Sequence, residues 1–500
     1  MENQVALFAP FVQPLKKKNP SAMMQPVLVL QMQRLGDLIL TFPLLARLRG
    51  IFPGHPVWVV GDEHFFKELM PLSPEAVYFS YEAAPSLLRQ KFRAVINCSH
   101  RPEALHLTGN ILTEERYGPY TDREGAMRLA GAWQLYRASL TYNNRYNLFH
   151  WADLNGLELL TPYRLAATRW PEPHPVNPSG SGHVGLFLGA SEIEKRPGPE
   201  FWAKLAGELL SAGHKPVLLG GEAEKEIAAQ VAKTLDAPSL NLAGRFSIRA
   251  LAEFISNLDL MVTPDTGPMH VAAWAGTPTL NLSMGTVNAW ETGPFSPGHH
   301  ILRARLDCVG CWHCTESYTR CKEHFVPSRI AALIHMMLKN RVEEAESMKL
   351  PGLELLRSGR DTYGFYKLAS CGEPDSSVSD RMVASHFWKS WFSGALKFLP
   401  EEIHAEHSRV FVKNSPSLVE EMNRSLAELF RDLALGVRRK QRTEGISMTS
   451  AAFWEIFPPF FRPFSGYIHM LLQNGDFSRS AFARALELSE HLATSLRHSA

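Results

Sequence analysis

No apolar run in this chain of 500 residues reaches the roughly 18 needed to cross a bilayer, so a spanning helix is not expected. In MENQVALFAPFVQPLKKKNP the lysines follow the short apolar stretch, the reverse of a secretory signal's order, and a cytoplasmic protein is expected. Six cysteines are too few for a disulfide scaffold of this length and suit a reducing compartment. A formal net charge of +2 supplies no overall field for nucleic acid. No GxGxxG follows a strand, which leaves hydride transfer without its dinucleotide turn, and no GxxxxGK[ST] loop marks an ATPase. No DxD pair of carboxylates marks a metal–diphosphate site.

What is present is ordinary globular material, 45% hydrophobic and 20% charged, of a length that suggests about three domains. The first, 24–168, opens with the continuous apolar run PVLVLQM, then a loop QRLGD, an amphipathic helix LILTFPLLARLRG and two more β-type runs, VWVVGD and RAVINC. Such runs, alternating with helices, are the mark of a parallel sheet covered on both faces. The Pro-, Gly- and Ser-rich break WPEPHPVNPSGSGH (170–183) reads as a linker. The second domain, 182–344, repeats the logic with VGLFLG (184–189), PVLLGG (216–221), LNLAG (240–244), DLMVT (259–263) and PTLNLS (278–283). Its helices should begin near Glu200, Glu222, Ser247 and Gly267. Two Rossmann-like halves should then face each other across a cleft, with ligands at the carboxyl ends of the strands. From 345 to 500 the β signal disappears, and a mostly helical extension is expected, with FWEIFPPFFRPF (453–464) as a loop inside it.

The strand ends carry the chemistry. After 259–263, Asp265 and Thr266 are natural capping residues, Gly267 admits close approach, Pro268 suits a first helical turn, and His270 lies within it. Free amides and the positive end of that helix make an anion site. Lys195 falls in the loop after 184–189, where it can neutralise a diphosphate. Glu222 follows 216–221, where related folds hold ribose hydroxyls with an acid. Each has a plain alternative: a capped helix start, a solvated lysine, a first-turn acid. Together they describe a nucleotide-diphosphate site. In the first domain Asp37 sits at the sheet's carboxyl edge beside Gly36, while Asn97, Ser99, His100 and Arg101 follow another strand and are candidate acceptor contacts.

Cys308, Cys311, Cys314 and Cys321 occur as CVGCWHCTESYTRC. Four thiols so spaced can close on zinc or iron as a structural site, and equally suit a compact reduced loop. LKKK (15–18) and RRKQR (438–442) are basic enough to meet anionic lipid head groups, or to be merely solvated.

These pieces resemble the lipopolysaccharide heptosyltransferases of glycosyltransferase family nine. The stretches that carry the resemblance are QRLGDLILTFPLLARLRGIFPGHPVWVV, LFLGASEIEKRPGPEFW, LLGGEAEKEIA, DLMVTPDTGPMHVAAWAGTPTLNL and NAWETGPF (288–295), all between about 26 and 340. The resemblance implies a GT-B fold and an inverting transfer of heptose from an ADP-sugar donor to a glycolipid acceptor of the lipopolysaccharide core. No cofactor would be required for catalysis, no nucleic acid would be a partner, and the site would lie in the cytoplasm with peripheral contact at the inner membrane. It also implies Asp37 as general base, Lys195 as phosphate-binding lysine, Glu222 on the nucleoside, and Asp265, Thr266, Gly267, Pro268 and His270 as the donor loop. The family's lysine motif usually continues Arg-Trp-Pro, whereas this chain reads KRPGP, and the extension has no counterpart there. A protein acceptor, another nucleotide sugar, or a non-catalytic interaction module on the same fold are the competing expectations.

Overall fold

A computed structural model describes residues 24–176, 182–237, 240–314, 316, 318–372, 379–438 and 448–497. LKKK (15–18) and most of RRKQR (438–442) lie outside them. Among the described residues no helix is long and apolar enough to cross a membrane.

The first sheet contains β1 (Val27–Gln31), β2 (Val57–Gly61), β3 (Val77–Phe79), β4 (Lys91–Asn97), β5 (Leu112–Thr121) and β6 (Met127–Ala130). Their spatial order is β3-β2-β1-β4-β5-β6, parallel throughout except for the β5–β6 hairpin. All five residues of β1 are buried, as a strand covered on both faces requires. The chain reverses its direction of travel across the sheet between β1 and β4, which makes that point the crevice where ligands bind in open α/β sheets. The expected single helix after QRLGD is two, Leu35–Ile39 and Phe42–Ile51, broken just before Pro43.

The second sheet holds β7 (His183–Phe187), β8 (Lys215–Leu219), β9 (Leu260–Pro264), β10 (Thr279–Ser283), β11 (His300–Ala304), β12 (Leu353–Arg360) and β13 (Tyr366–Ser370). The order is β13-β12-β11-β10-β9-β7-β8, with its own switch point between β7 and β9. LNLAG is not a strand. It makes a single bridge, Leu218 to Asn241, because the chain only brushes the sheet edge there.

Two expectations about the extension are corrected. Strands continue past residue 345: β12 and β13 run antiparallel to β11 and finish the second sheet. FWEIFPPFFRPF does hold a loop, 456–461, but helices take up both its ends and most of its aromatic rings are buried. Phe453, Trp454, Phe457, Phe461 and Phe464 are buried in the largest hydrophobic cluster, with Trp388 and Trp391. Pro458 and Pro459 end the helix Ala451–Glu455, and the next begins at Arg462. That cluster also includes Trp133 and Tyr136 of the helix Ala132–Ser139 in the first half. The extension thus begins as strands on the second sheet and finishes as helices packed on the first half. Asn474 seals this join by exchanging hydrogen bonds with the backbone of Leu129, 2.7 and 3.0 Å.

Candidate functional site

The two switch points face each other. A side chain at Gly36, just after β1, would lie 3.2 Å from the His270 ring and 3.6 Å from the Gly267 Cα. A Cβ at Gly267 would in turn come within 2.9 Å of Leu35. Only glycines let the loop of one half touch the helix start of the other so closely. The arrangement therefore brings Asp37 to the same junction as the loop 265–270.

Asp37 occupies the third position of its short helix, and its Oδ2 accepts from the Arg34 amide at 3.3 Å. Its side chain keeps solvent access although protein crowds it on most sides, as on a cleft wall. That crowding raises its pKa above the usual carboxylate range, against the pull of Arg137 and Arg34. The shift makes it a stronger base than a free carboxylate.

Across the junction, Thr266 takes the N-cap position of the helix Gly267–Trp274 with an extended backbone and without a side-chain cap, and Pro268 fills the first turn. The capping role expected of Asp265 is also absent. Its Oδ2 accepts instead from the Thr292 hydroxyl, in the TGP of NAWETGPF. Burial lifts Asp265 to about 6, while the Thr292 bond and Lys195 hold it down. The amides at this helix start are thereby left for a ligand. His270 is buried, and burial lowers it to about 4, so at neutral pH it contributes a hydrogen bond and no charge; its Nδ1 has no partner.

Lys195 sits in a short turn after β7, its amine 3.2 Å from Glu192. The electrostatic coupling of Asp265 to Lys195, Glu192 and Asp37 ties the three segments into one site. Glu222 heads the turn after β8, exposed, and pairs with Lys225 at 2.8 Å. The acid turned inward there is Glu224, which sequence reading passed over. It accepts from the Gly221 amide at 2.8 Å, faces Arg196 at 3.6 Å and packs under Gly189 and Gly220. The signal for it was the third-residue acid of a capping box.

The candidate acceptor contacts divide. Asn97 and Ser99 are buried and engaged within the protein, Asn97 donating to the Pro119 carbonyl of β5 at 2.7 Å and accepting from the Ser99 amide at 2.8 Å. His100 and Arg101 are exposed, Arg101 lying 3.8 Å from Asp62.

The four cysteines Cys308, Cys311, Cys314 and Cys321 line one small pocket with Gly285. Burial and the three neighbouring sulfurs push Cys311 up to about 11. The adjoining Lys322 donates to the carbonyls of Ile193 (2.6 Å) and Arg196 (2.8 Å), and Gly285, whose amide points at Cys321 Sγ, packs on the Glu194 carbonyl. The cysteine segment therefore braces the turn that carries Lys195. Elsewhere His300, Glu346 and Cys371 gather metal-type ligand atoms within 4.8 Å of one another, but Arg357 stands 3.5 Å from the Glu346 carboxylate and competes for it.

Residues 143–322 match the model of glycosyltransferase family 9 (heptosyltransferase). Lipooligosaccharide heptosyltransferase 2 of Campylobacter jejuni is 27% identical over 170 residues, 32% of this chain and 53% of that one. The lipopolysaccharide core heptosyltransferase OpsX of Haemophilus influenzae is 33% identical over 73 residues, 15% of this chain and 21% of that one. This chain thus spans about half the length of the Campylobacter relative. The structure of the ADP-heptose heptosyltransferase II of E. coli superposes with a TM-score of 0.46 at 18% identity, covering 63% of this chain and 99% of that one. The resemblance that the DTGPMH stretch suggested is therefore real: across residues 143–322 the chain carries the sequence pattern of the family 9 heptosyltransferases.

Proposed function

We propose that the protein is an inverting glycosyltransferase that moves a heptose from ADP-heptose to a hydroxyl of a lipopolysaccharide core or related cell-envelope glycolipid. The observation that supports this best is the meeting of the two switch points, with Asp37 on one wall and the 265–270 helix start and Lys195 on the other. In a single in-line displacement the acceptor oxygen bonds to the anomeric carbon as the bond from that carbon to the diphosphate breaks. Asp37 takes the hydroxyl proton, and ADP leaves with the bonding electron pair. Lys195 and the free amides at Thr266 and Gly267 balance the charge that grows on the diphosphate, the contribution usually largest in such chemistry. Glu222 reaches the ribose from the cleft rim, and Asp265 and His270 line the donor pocket. A lipid-borne acceptor brings the enzyme to the inner face of the cytoplasmic membrane as a peripheral visitor.

No cofactor is needed for that step. The four cysteines line one pocket without bringing three sulfurs within 4.8 Å of one another, so a structural zinc or iron would have to draw them together, and in doing so would fix Lys322 and through it the Lys195 turn; metal analysis of the purified protein tests this.

Replacing Asp37 by Asn removes the base and keeps the shape. Turnover should fall by about 10²–10⁴-fold with ADP affinity unchanged. An Asp37→Asn enzyme of full activity would end the assignment. Thermal stabilisation by ADP but not by UDP or GDP is the expected donor signature.

A further inference from the structure

His300, Glu346 and Cys371 each offer one ligand atom, and the three atoms lie within 4.8 Å of one another. They come from three separate elements. His300 opens β11, Glu346 ends the helix Val342–Glu346, and Cys371 directly follows β13. The register of the sheet explains their meeting. His300 stands opposite Arg357 of β12, which stands opposite Ala369 of β13, and the Cys371 amide donates to the Leu355 carbonyl at 2.8 Å. Paired residues project to the same face, as do residues two apart along a strand. The imidazole and the thiol therefore emerge on one face of the sheet with β12 between them, and the helix brings Glu346 onto that face.

The carboxylate is the centre of the group. Its Oε1 is 2.8 Å from His300 Nε2 and 3.5 Å from Arg357 Nη1, and the Cys371 thiol donates to it as well. Imidazole, thiolate and carboxylate are the three ligand types of zinc; bonds of about 2.0–2.3 Å set tetrahedral neighbours roughly 3.3–3.6 Å apart. Small rotations of the side chains cover the difference. The ligands are within reach of solvent, since Glu346 and Cys371 are part-exposed, while His300 is buried and fixed by the sheet. Arg357 opposes a cation, but its side chain is half in solvent and an ion pair so exposed is weak, so it can turn outward. We propose that His300, Glu346 and Cys371 form a zinc site, with water in the fourth position, that clamps the helix Val342–Glu346 and the end of β13 to β11. On binding, the thiol releases its proton to water and the imidazole keeps its single proton on Nδ1. The clamp lies where the chain passes from the second half into the extension, and it depends neither on the transferase reading nor on the four-cysteine pocket.

The experiment takes the full chain, strips it with a chelator, dialyses it against rising zinc and counts the zinc bound per chain. The wild type should bind one zinc more than Cys371→Ala and one more than His300→Gln. Zinc should also raise the thermal midpoint of the wild type more than that of either variant. Because the reading is a difference, zinc held by the four-cysteine pocket cancels. Arg357→Met should take up the same zinc at least about tenfold more tightly than the wild type, since a positive charge beside the ion is gone. That variant changes a half-exposed residue and keeps all three ligands, so it decides the matter even where the ligand variants do not fold. Equal zinc counts in the wild type and both ligand variants, zero included, overturn the inference. So does an Arg357→Met protein whose zinc affinity matches the wild type's.

Discussion

The junction between the two halves contains two buried arginine centres, and they are built in opposite ways. At one, Asp153, 1% exposed at its side chain, stands between Arg47 at 3.6 Å and Arg360 at 3.4 Å, and accepts the Tyr366 amide at 2.9 Å. Both guanidiniums stack on Trp170, in the linker, and Arg360 also lies over Phe295. One carboxylate thus ties the first half, the linker and β12 together. At the other centre, Arg137 has a carbonyl, a thiol and a ring but no acid. Both centres leave guanidinium nitrogens without a hydrogen-bond partner, Arg47 Nη1 and Nη2 at the first, Arg137 Nε and Nη1 at the second. The difference is the acid: the first centre is closed by a carboxylate shared between two cations and fastens the halves, while the second is open, with no acid beside it. Compensation of charge, more than burial or the count of hydrogen bonds, is what distinguishes the two centres.

The sharpest way to break that contrast is to remove the acid at the closed centre. Asp153→Ala strands two arginines and an amide, and should destabilise by about 3–5 kcal/mol, read from denaturant midpoints at unchanged m. Arg137→Met, which removes a charge that nothing inside the fold compensates, should leave stability level or raise it. If the two substitutions cost the same, the distinction between closed and open centres is lost.

The same logic separates two acids on a smaller scale. Glu224 is engaged on all sides, whereas exposed Glu222 has only Lys225. Glu222→Ala should leave the unfolding midpoint in place, within about 0.5 kcal/mol, as surface changes do. It should weaken ADP roughly tenfold if its carboxylate takes the ribose hydroxyls. Unchanged ADP affinity in calorimetry would remove Glu222 from the site.

How much of this was legible beforehand follows from where each signal lives. Parallel strands buried on both faces are continuous apolar runs, and each is followed at once by the turn that carries its polar group. VTPDTGPMH and VLVLQMQRLGD therefore declared both their structure and their site. The strands β12 and β13 were hidden because LELLRSGR and YKLAS sit at a sheet margin, carry charge and alternate too briefly to stand out. The prolines of FWEIFPPFFRPF suggested a loop, but two helix ends meeting in an aromatic core satisfy them equally well. Arg137 had no signal at all. It lies in the middle of AWQLYRAS, where an arginine reads as a helix surface, and contacts the sequence does not announce, the Cys98 carbonyl and the Trp151 ring, take it inside.

The smallest effect lies between the two centres, at Glu291. Its carboxylate accepts from Asn147 at 3.0 Å and from Asn144, both of the first half, while its neighbour Thr292 donates to Asp265. Burial pushes Glu291 up to about 8 in spite of the two amides. Unfolded, it titrates near 4.3 as an ordinary glutamate. Between those values the folded state holds a proton that the unfolded state has released, so this group's contribution is full below about pH 4 and is lost as pH rises toward 8. The wild type should lose thermal stability across that window, and Glu291→Gln should flatten the slope because its amide never ionises. The same acid borders Asp265, so at the alkaline end a charged Glu291 repels the carboxylate that flanks the donor loop. ADP affinity in the wild type should therefore weaken as pH passes 8, and Glu291→Gln should not share that loss. A variant whose stability slope matches the wild type would mean that Glu291 is already ionised at neutral pH, and that the contact between the halves at 144–147 is an ordinary charge-assisted one.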